Sequence, residues 1–156
     1  MATSFEALFG TDIRLLGDLE HAEQRERGSD LFTGIRPESS RVDLQRLSGV
    51  PDLQQALQLR FLTQVGELEH LGHASYGSRL HELVGEPNTE TTRNRAKLFA
   101  LQALQAEPRV SQIRSIVVEA RRDRPNQIDI KAAVVAIDSV TPVNLVFPVA
   151  LDGGTP

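Results

Sequence analysis

The stretch Phe99-Ala100-Leu101-Gln102-Ala103-Leu104-Gln105-Ala106-Glu107-Pro108-Arg109-Val110 changes its periodicity at one proline, and that change decides the fold class. Before Pro108 the apolar residues recur at helical spacing. Ala96, Phe99, Ala100, Ala103 and Leu104 form one stripe, widened by Leu98 and Leu101, on a helix predicted over 89–106 with Thr91 or Thr92 as its cap or in its first turn. Pro108 ends it, because the residue before a proline is driven out of the helical region. After Pro108 the period is two. Residues 110–120, 128–137 and 143–151 read as three strands, with turns at Arg121–Asn126 and Thr141-Pro142. Ile128, Ile130, Ala132, Val134 and Ala136 share one face, and Leu145, Phe147 and Val149 alternate on the last strand. Pro148 interrupts that strand, which marks it as an edge strand, where another chain can be added.

Upstream, Pro51 and Asp52 signal a helix start and Gly66 its end. Leu53, Ala56, Leu57 and Phe61 form the inner face of this helix, while Gln54, Gln55, Gln58 and Arg60 are expected on the outer one. Residues 66–78 carry three glycines and Tyr76 and read as a shaped turn. Ser78 is expected to cap a short helix with Leu80, Leu83 and Val84 inward. Thr11–Leu16 alternates like a strand that could join the meander as a fourth member. Residues 17–45 read as a long exposed loop or insertion with a short helical piece near Glu20–Arg27, and 152–156 as a flexible tail. Helices first and a meander after give an α+β fold: helices packed on one face of a small antiparallel sheet of three to four strands, in a single domain over 1–156.

The chain has 156 residues and a net charge of -4, with no Cys and no Trp. Disulfides, Cys-based zinc sites and a Cys nucleophile are therefore excluded. The acidic balance lacks the footprint of a nucleic-acid binder. No apolar run approaches the length of a membrane span, and no signal peptide is expected at the N-terminus. Fifteen of the 17 basic residues are Arg, a surface rich in planar bidentate donors.

Little in the sequence argues for catalysis. His70, His73 and His81 lie close together, but in a Gly-rich segment without a third ligand pattern, so no metal is expected. Glu67, Glu69, Glu82, Glu86, Glu90 and Glu107 could pair as a glycosidase acid and base, yet twelve Glu in such a chain pair by chance. Ser75 and Ser78 lack the G-x-S-x-G frame, and no phosphate-binding glycine loop is present. No catalytic residue and no cofactor is expected. The corner Glu107-Pro108-Arg109 is the more informative feature. It reads either as a punctuated turn with two solvated charges or as a rigid bipolar contact, Arg109 gripping a partner carboxylate while Glu107 orients it.

Glu107-Pro108-Arg109, after an amphipathic helix and before a meander, resembles the signature of the baseplate wedge and sheath-initiator family of contractile phage tails, type VI secretion systems and contractile injection systems. Phe9-Gly10-Thr11-Asp12-Ile13 resembles that family's entry strand, and Asp52–Gly66 its first helix. Gly72-His73-Ala74-Ser75-Tyr76-Gly77-Ser78-Arg79-Leu80 resembles its glycine-and-aromatic loop, and Asn144-Leu145-Val146-Phe147-Pro148 its terminal strand. The resemblance implies a structural role in several copies within a sixfold baseplate, after assembly in the cytoplasm. It implies that Glu107, Pro108 and Arg109 contact wedge proteins. It implies too that Val143, Asn144, Leu145, Val146, Phe147 and Val149 meet sheath subunits by strand addition, with tube or spike-hub proteins nearby. Some members are called lysozyme-like, so peptidoglycan hydrolysis is the alternative. An adaptor that binds a regulator by strand addition is the third.

Overall fold

The structure is a computed structural model and describes residues 9–20, 31–137 and 139–152. Among them the elements run β1 (Thr11–Ile13), β2 (Thr33–Ile35), β3 (Val42–Leu44), β4 (Arg46–Ser48), α1 (Val50–Leu62), 3-10 turns at Glu69–Leu71 and Leu80–Leu83, α2 (Glu90–Gln105), β5 (Val110–Ala120), β6 (Gln127–Ala136) and β7 (Pro142–Ala150). The fold is α+β, and the paired strands run antiparallel. The expected helical piece near Glu20–Arg27 and the tail beyond Asp152 fall largely outside the described residues. No described helix is long and apolar enough to cross a membrane.

The second helix follows its pattern closely. The Thr89 hydroxyl accepts a 3.2 Å bond from the Thr92 amide and caps the N-terminus of α2. Ala96, Phe99, Ala100, Ala103 and Leu104 are all buried, whereas Leu98 is half exposed and does not widen the stripe. The C-terminal sheet has the order β5-β6-β7. Its helix-facing side carries Ile128, Ile130, Ala132, Val134 and Ala136 from β6 and Val143, Leu145, Phe147 and Val149 from β7, all buried. Phe147 meets Phe61 of α1 with ring centroids 5.1 Å apart, in a tilted geometry suited to aromatic pairs.

β5 does not alternate simply. Its core-facing residues Val110, Ile113, Ile116 and Val118 are spaced three, three and two apart. Two register irregularities, between Val110 and Gln112 and between Ile113 and Ser115, absorb the extra residues and keep all four on the helix side. The Ser111 hydroxyl fills one gap by donating to the Val135 carbonyl at 3.0 Å.

The N-terminal part departs from the expected long loop and from the expected fourth strand. β1 pairs with β4 rather than with the meander, and β2 pairs with β3. The two small ladders are one interrupted ribbon. The Gln45 amide donates to the Phe32 carbonyl, and the Gln45 carbonyl accepts from the Arg14 amide, both at 2.8 Å. The N–H and C=O of one strand residue point the same way, so Thr11–Arg14 and Phe32–Ile35 lie end to end along one edge of Val42–Ser48. The chain leaves that edge after Arg14 and is back on it at Phe32. β1 stops at Ile13 because the Leu15 and Leu16 amides turn to the Gln55 side-chain carbonyl, at 2.7 and 3.2 Å.

α1 also ends earlier than its glycine suggests. Thr63 is extended and its amide closes on the Leu59 carbonyl. The following loop then doubles back: the Ser78 amide donates to the Thr63 carbonyl at 2.9 Å and the Val65 amide to the Ser78 carbonyl at 3.2 Å. Gly77 makes this possible. It has φ +114, and a Cβ there would stand 2.7 Å from the Thr63 carbonyl oxygen. Ser78 is no helix cap. Arg79 takes that position, and the Ser78 hydroxyl donates instead to the Phe61 carbonyl at 3.0 Å. Leu80 and Leu83 are buried as expected, but Val84 is half exposed. One buried cluster, from Phe9 to Leu151, joins both helices to the sheet.

Candidate functional site

Glu107-Pro108-Arg109 is neither a solvated turn nor an outward-facing pair of charges. Pro108 turns the chain from α2 into β5 and is exposed, but Glu107 points inward and is only 5% exposed. Its carboxylate bridges two guanidiniums: Arg109 Nε donates to Oε1 at 2.7 Å and Arg60 Nη2 to Oε2 at 3.2 Å. Arg109 reaches further, with Nη1 3.0 Å from Asp52 Oδ2 and 3.0 Å from the Phe9 carbonyl. Two arginines and two acids thus close a charge-balanced group. It ties the α2–β5 corner to both ends of α1 and to the chain at Phe9. Tyr76, from the glycine loop, lies under the Arg60 guanidinium at 4.4 Å from the ring centroid.

The two acids differ in their surroundings. Burial alone pushes the Glu107 carboxyl up, but the Arg109 hydrogen bond and charge, with help from Arg60, outweigh it and hold it below its ordinary value. For Asp52 burial wins over the charge of Arg109, and its carboxyl sits above its ordinary value. Arg109 is pushed down by burial and up by Glu107 and Asp52, and the acids prevail. Arg109 remains partly exposed on one side, so this corner offers the surface the proline and one guanidinium edge.

Sequence reasoning misplaced three polar residues of α1, one of them in this group. Arg60, Gln55 and Gln58 were expected on the outer face of α1, yet all three are buried, because each finds a partner. Arg60 has Glu107, while the Gln55 side chain brackets Ile13–Leu16 and Gln58 Nε2 donates to the Leu19 carbonyl at 2.6 Å. Asp52 reads in sequence as a helix-start residue. The signal that could have found the stripe is the i, i+3, i+6 spacing of Asp52, Gln55 and Gln58 amid leucines, a polar line along an otherwise buried helix. His70, His73 and His81 are exposed on the loop and the 3-10 turns, and no described group of three or more potential ligands is poised for a metal.

The sheet contributes two outer edges. Among the described residues β5 is paired on one side only, by β6. The Arg121 amide donates to Gln127 of β6, so by alternation the amides of Ala120 and Val118 point away from β6. Beside this edge a groove of about 680 Å³ is lined by Lys97, Leu101 and Gln105 of α2 and by Val110–Ile116 of β5. The β7 edge is partly occupied: the Val146 amide donates to the Glu20 carbonyl at 2.8 Å. Of the residues expected at a sheath contact, Val143, Leu145, Phe147 and Val149 are buried toward the helices, Val146 is half-buried and Asn144 is exposed. Pro148 has the same outward parity as Val146, which is why a residue without N–H fits there without costing a ladder bond.

No model of a known protein family matches the sequence, and no curated protein matches it. The fold is similar to the crystal structure of a Geobacter sulfurreducens protein that carries the provisional name tail lysozyme. The TM-score is 0.59 at 22% identity, and the match covers 70% of this chain and 97% of that one. The likeness is one of fold.

Proposed function

We propose that this protein is a structural baseplate component of a contractile tail or injection particle. In this reading it links the wedge core to the first sheath ring and templates sheath polymerisation by accepting strands. The observation that carries the reading is the outer side of β5, an 11-residue strand that packs on the helix layer and that no described strand pairs there. A free subunit loses conformational entropy when it orders against another, and a strand edge already fixed in position and register removes part of that cost. Main-chain bonds would supply affinity, and the α2–β5 groove would receive alternate side chains. The provisional name of the fold neighbour and the resemblance at Glu107-Pro108-Arg109 agree with a tail setting. At the corner, Pro108 and the open side of Arg109 would meet the wedge proteins, with Glu107 as the positioning residue that fixes the guanidinium.

The neighbour's name also raises the hydrolase reading, but the geometry favours the structural one. A glycosidase acid must face a substrate cleft with its proton retained. Glu107 is instead bonded to two arginines, and the lining of the α2–β5 groove contains no carboxylate. The test is purification of contractile particles from cells that carry Val118→Pro, which removes an outward amide from β5. The reading predicts wild-type protein in the baseplates, and baseplates without sheath for the variant. Particles that lack the protein, or that carry normal sheath with the variant incorporated, would overturn it. Clearing of purified cell wall by the wild-type chain would favour the hydrolase.

A further inference from the structure

We propose that the β7 edge, where the resemblance already implies strand addition, is held closed by the chain's own Gly17–Glu20 segment, and that Gln58 is the residue that grips whichever backbone lies there. This deepens the reading above and rests on it. The segment is fastened at both ends. At its root, Arg14 donates from Nε to the Leu16 carbonyl at 3.1 Å and from Nη2 to the Gly17 carbonyl at 2.6 Å. Gln55 holds Ile13, Leu15 and Leu16 with both ends of its amide. At the far end Gln58 Nε2 donates to the Leu19 carbonyl and the Val146 amide to the Glu20 carbonyl.

Gln55 and Gln58 make an informative pair. They lie three residues apart on α1, and both are almost fully buried. Gln55 uses its carbonyl and its amino group on a strand-like backbone. Gln58 uses only its amino group, and its Oε1 has no partner. A buried acceptor left unbonded carries a desolvation cost that a better-placed N–H would relieve. An incoming extended chain that replaced Leu19–Glu20 would supply a carbonyl to Nε2, an amide to Oε1 and a carbonyl to the Val146 N–H. The root contacts at Arg14 and Gln55 would stay intact, so the segment could swing aside without unfolding the ribbon. The occupant is fixed by this chemistry as a backbone in extended conformation, which in the proposed setting is a strand of a sheath subunit.

Two measurements on the full chain test this. The first is site-resolved amide exchange. By alternation Leu145 and Phe147 donate to β6, so the Val146 amide should exchange at least about tenfold faster than either. Gln58→Ala should speed Val146 further and leave Leu145 and Phe147 unchanged. Equal, slow exchange of all three in both proteins would overturn the proposal. The second uses the absence of native cysteine. Glu20→Cys with Asn144→Cys, bridged by a cleavable bismaleimide, should give baseplates without sheath and recover sheath on cleavage. Normal sheath on the bridged protein would overturn the proposal. If the bridged protein assembles sheath while Val118→Pro does not, the β7 gate is wrong and the β5 reading stands. If both assemble normally, both readings fall.

Discussion

The Glu107 corner and the β5 edge deal with polar groups in opposite ways. At the corner, two acids and two arginines are drawn out of water and spend their hydrogen bonds on each other and on the chain at Phe9. Along the outer side of β5, no described strand pairs with the backbone groups. The first arrangement ties α1 to the α2–β5 corner, and the second is the edge that the proposed function gives to a partner strand. Glu107, which in sequence could be a contact residue, is thus an internal fastener, while Pro108 and one side of Arg109 stay at the surface.

The largest effect that separates these regions should come from Glu107→Gln. It leaves Arg60 buried without its counter-charge and should cost about 3–5 kcal/mol in urea unfolding. A loss below about 1 kcal/mol would show that the corner is not a fastener. Glu107 substitutions are therefore poor probes of partner contact, since a failure to assemble would also follow from a weakened fold.

Gln55→Ala should come next, at about 1–3 kcal/mol, because it strands the Leu15 and Leu16 amides and the Ile13 carbonyl. The loss should coincide with faster exchange at Leu15 and Leu16 alone. Unchanged exchange there would remove the argument that glutamines on α1 act as a substitute strand.

Asp52→Asn should be milder, about 1 kcal/mol at pH 7, since Arg109 keeps Glu107 as a partner. Its pH dependence is the sharper test. Glu107 is held below its ordinary 4.5, so it stabilises the fold above that pH, and the stabilisation is lost as pH falls through its folded value. Asp52 is raised above its ordinary 3.8, so its ionisation costs stability as pH climbs from that value through the folded one, and acidification first returns that cost. Asp52→Asn should lack the stability that wild type regains as Asp52 protonates, so its stability should fall more steeply on acidification than that of wild type. Identical profiles would contradict the opposed environments of the two acids.

The smallest effect on stability, about 1 kcal/mol or less, should come from Val118→Pro, whose amide points away from β6. Paired with a complete loss of sheath, it would mark the β5 edge as functional rather than structural.

How far the sequence could be read follows from the length and regularity of each pattern. α2 and the meander were legible because many apolar residues repeat one period, and Pro108 divides the two patterns cleanly. The three-residue strands β1 to β4 were not, since three residues carry too little alternation to tell a strand from a loop. Their pairing depends instead on Gln45, which bonds to two segments 18 residues apart in the chain. On β5 the two irregularities hid Ile113 from a strict two-residue count. The polar residues of α1 were misplaced because helical periodicity sorts residues by polarity, and it cannot foresee that Glu107, 47 residues beyond Arg60, comes back to satisfy it. The corner was legible as a rigid point, but the direction of its charges was not.

The most direct test of the central claim is a residue-level map of an assembled contractile particle that contains this chain. The account predicts that β5 is continued by a strand from another chain in every copy, with Glu107 still bonded to Arg60 inside the fold. A map in which the outer side of β5 faces solvent, and the protein holds its neighbours through side chains elsewhere, would contradict it.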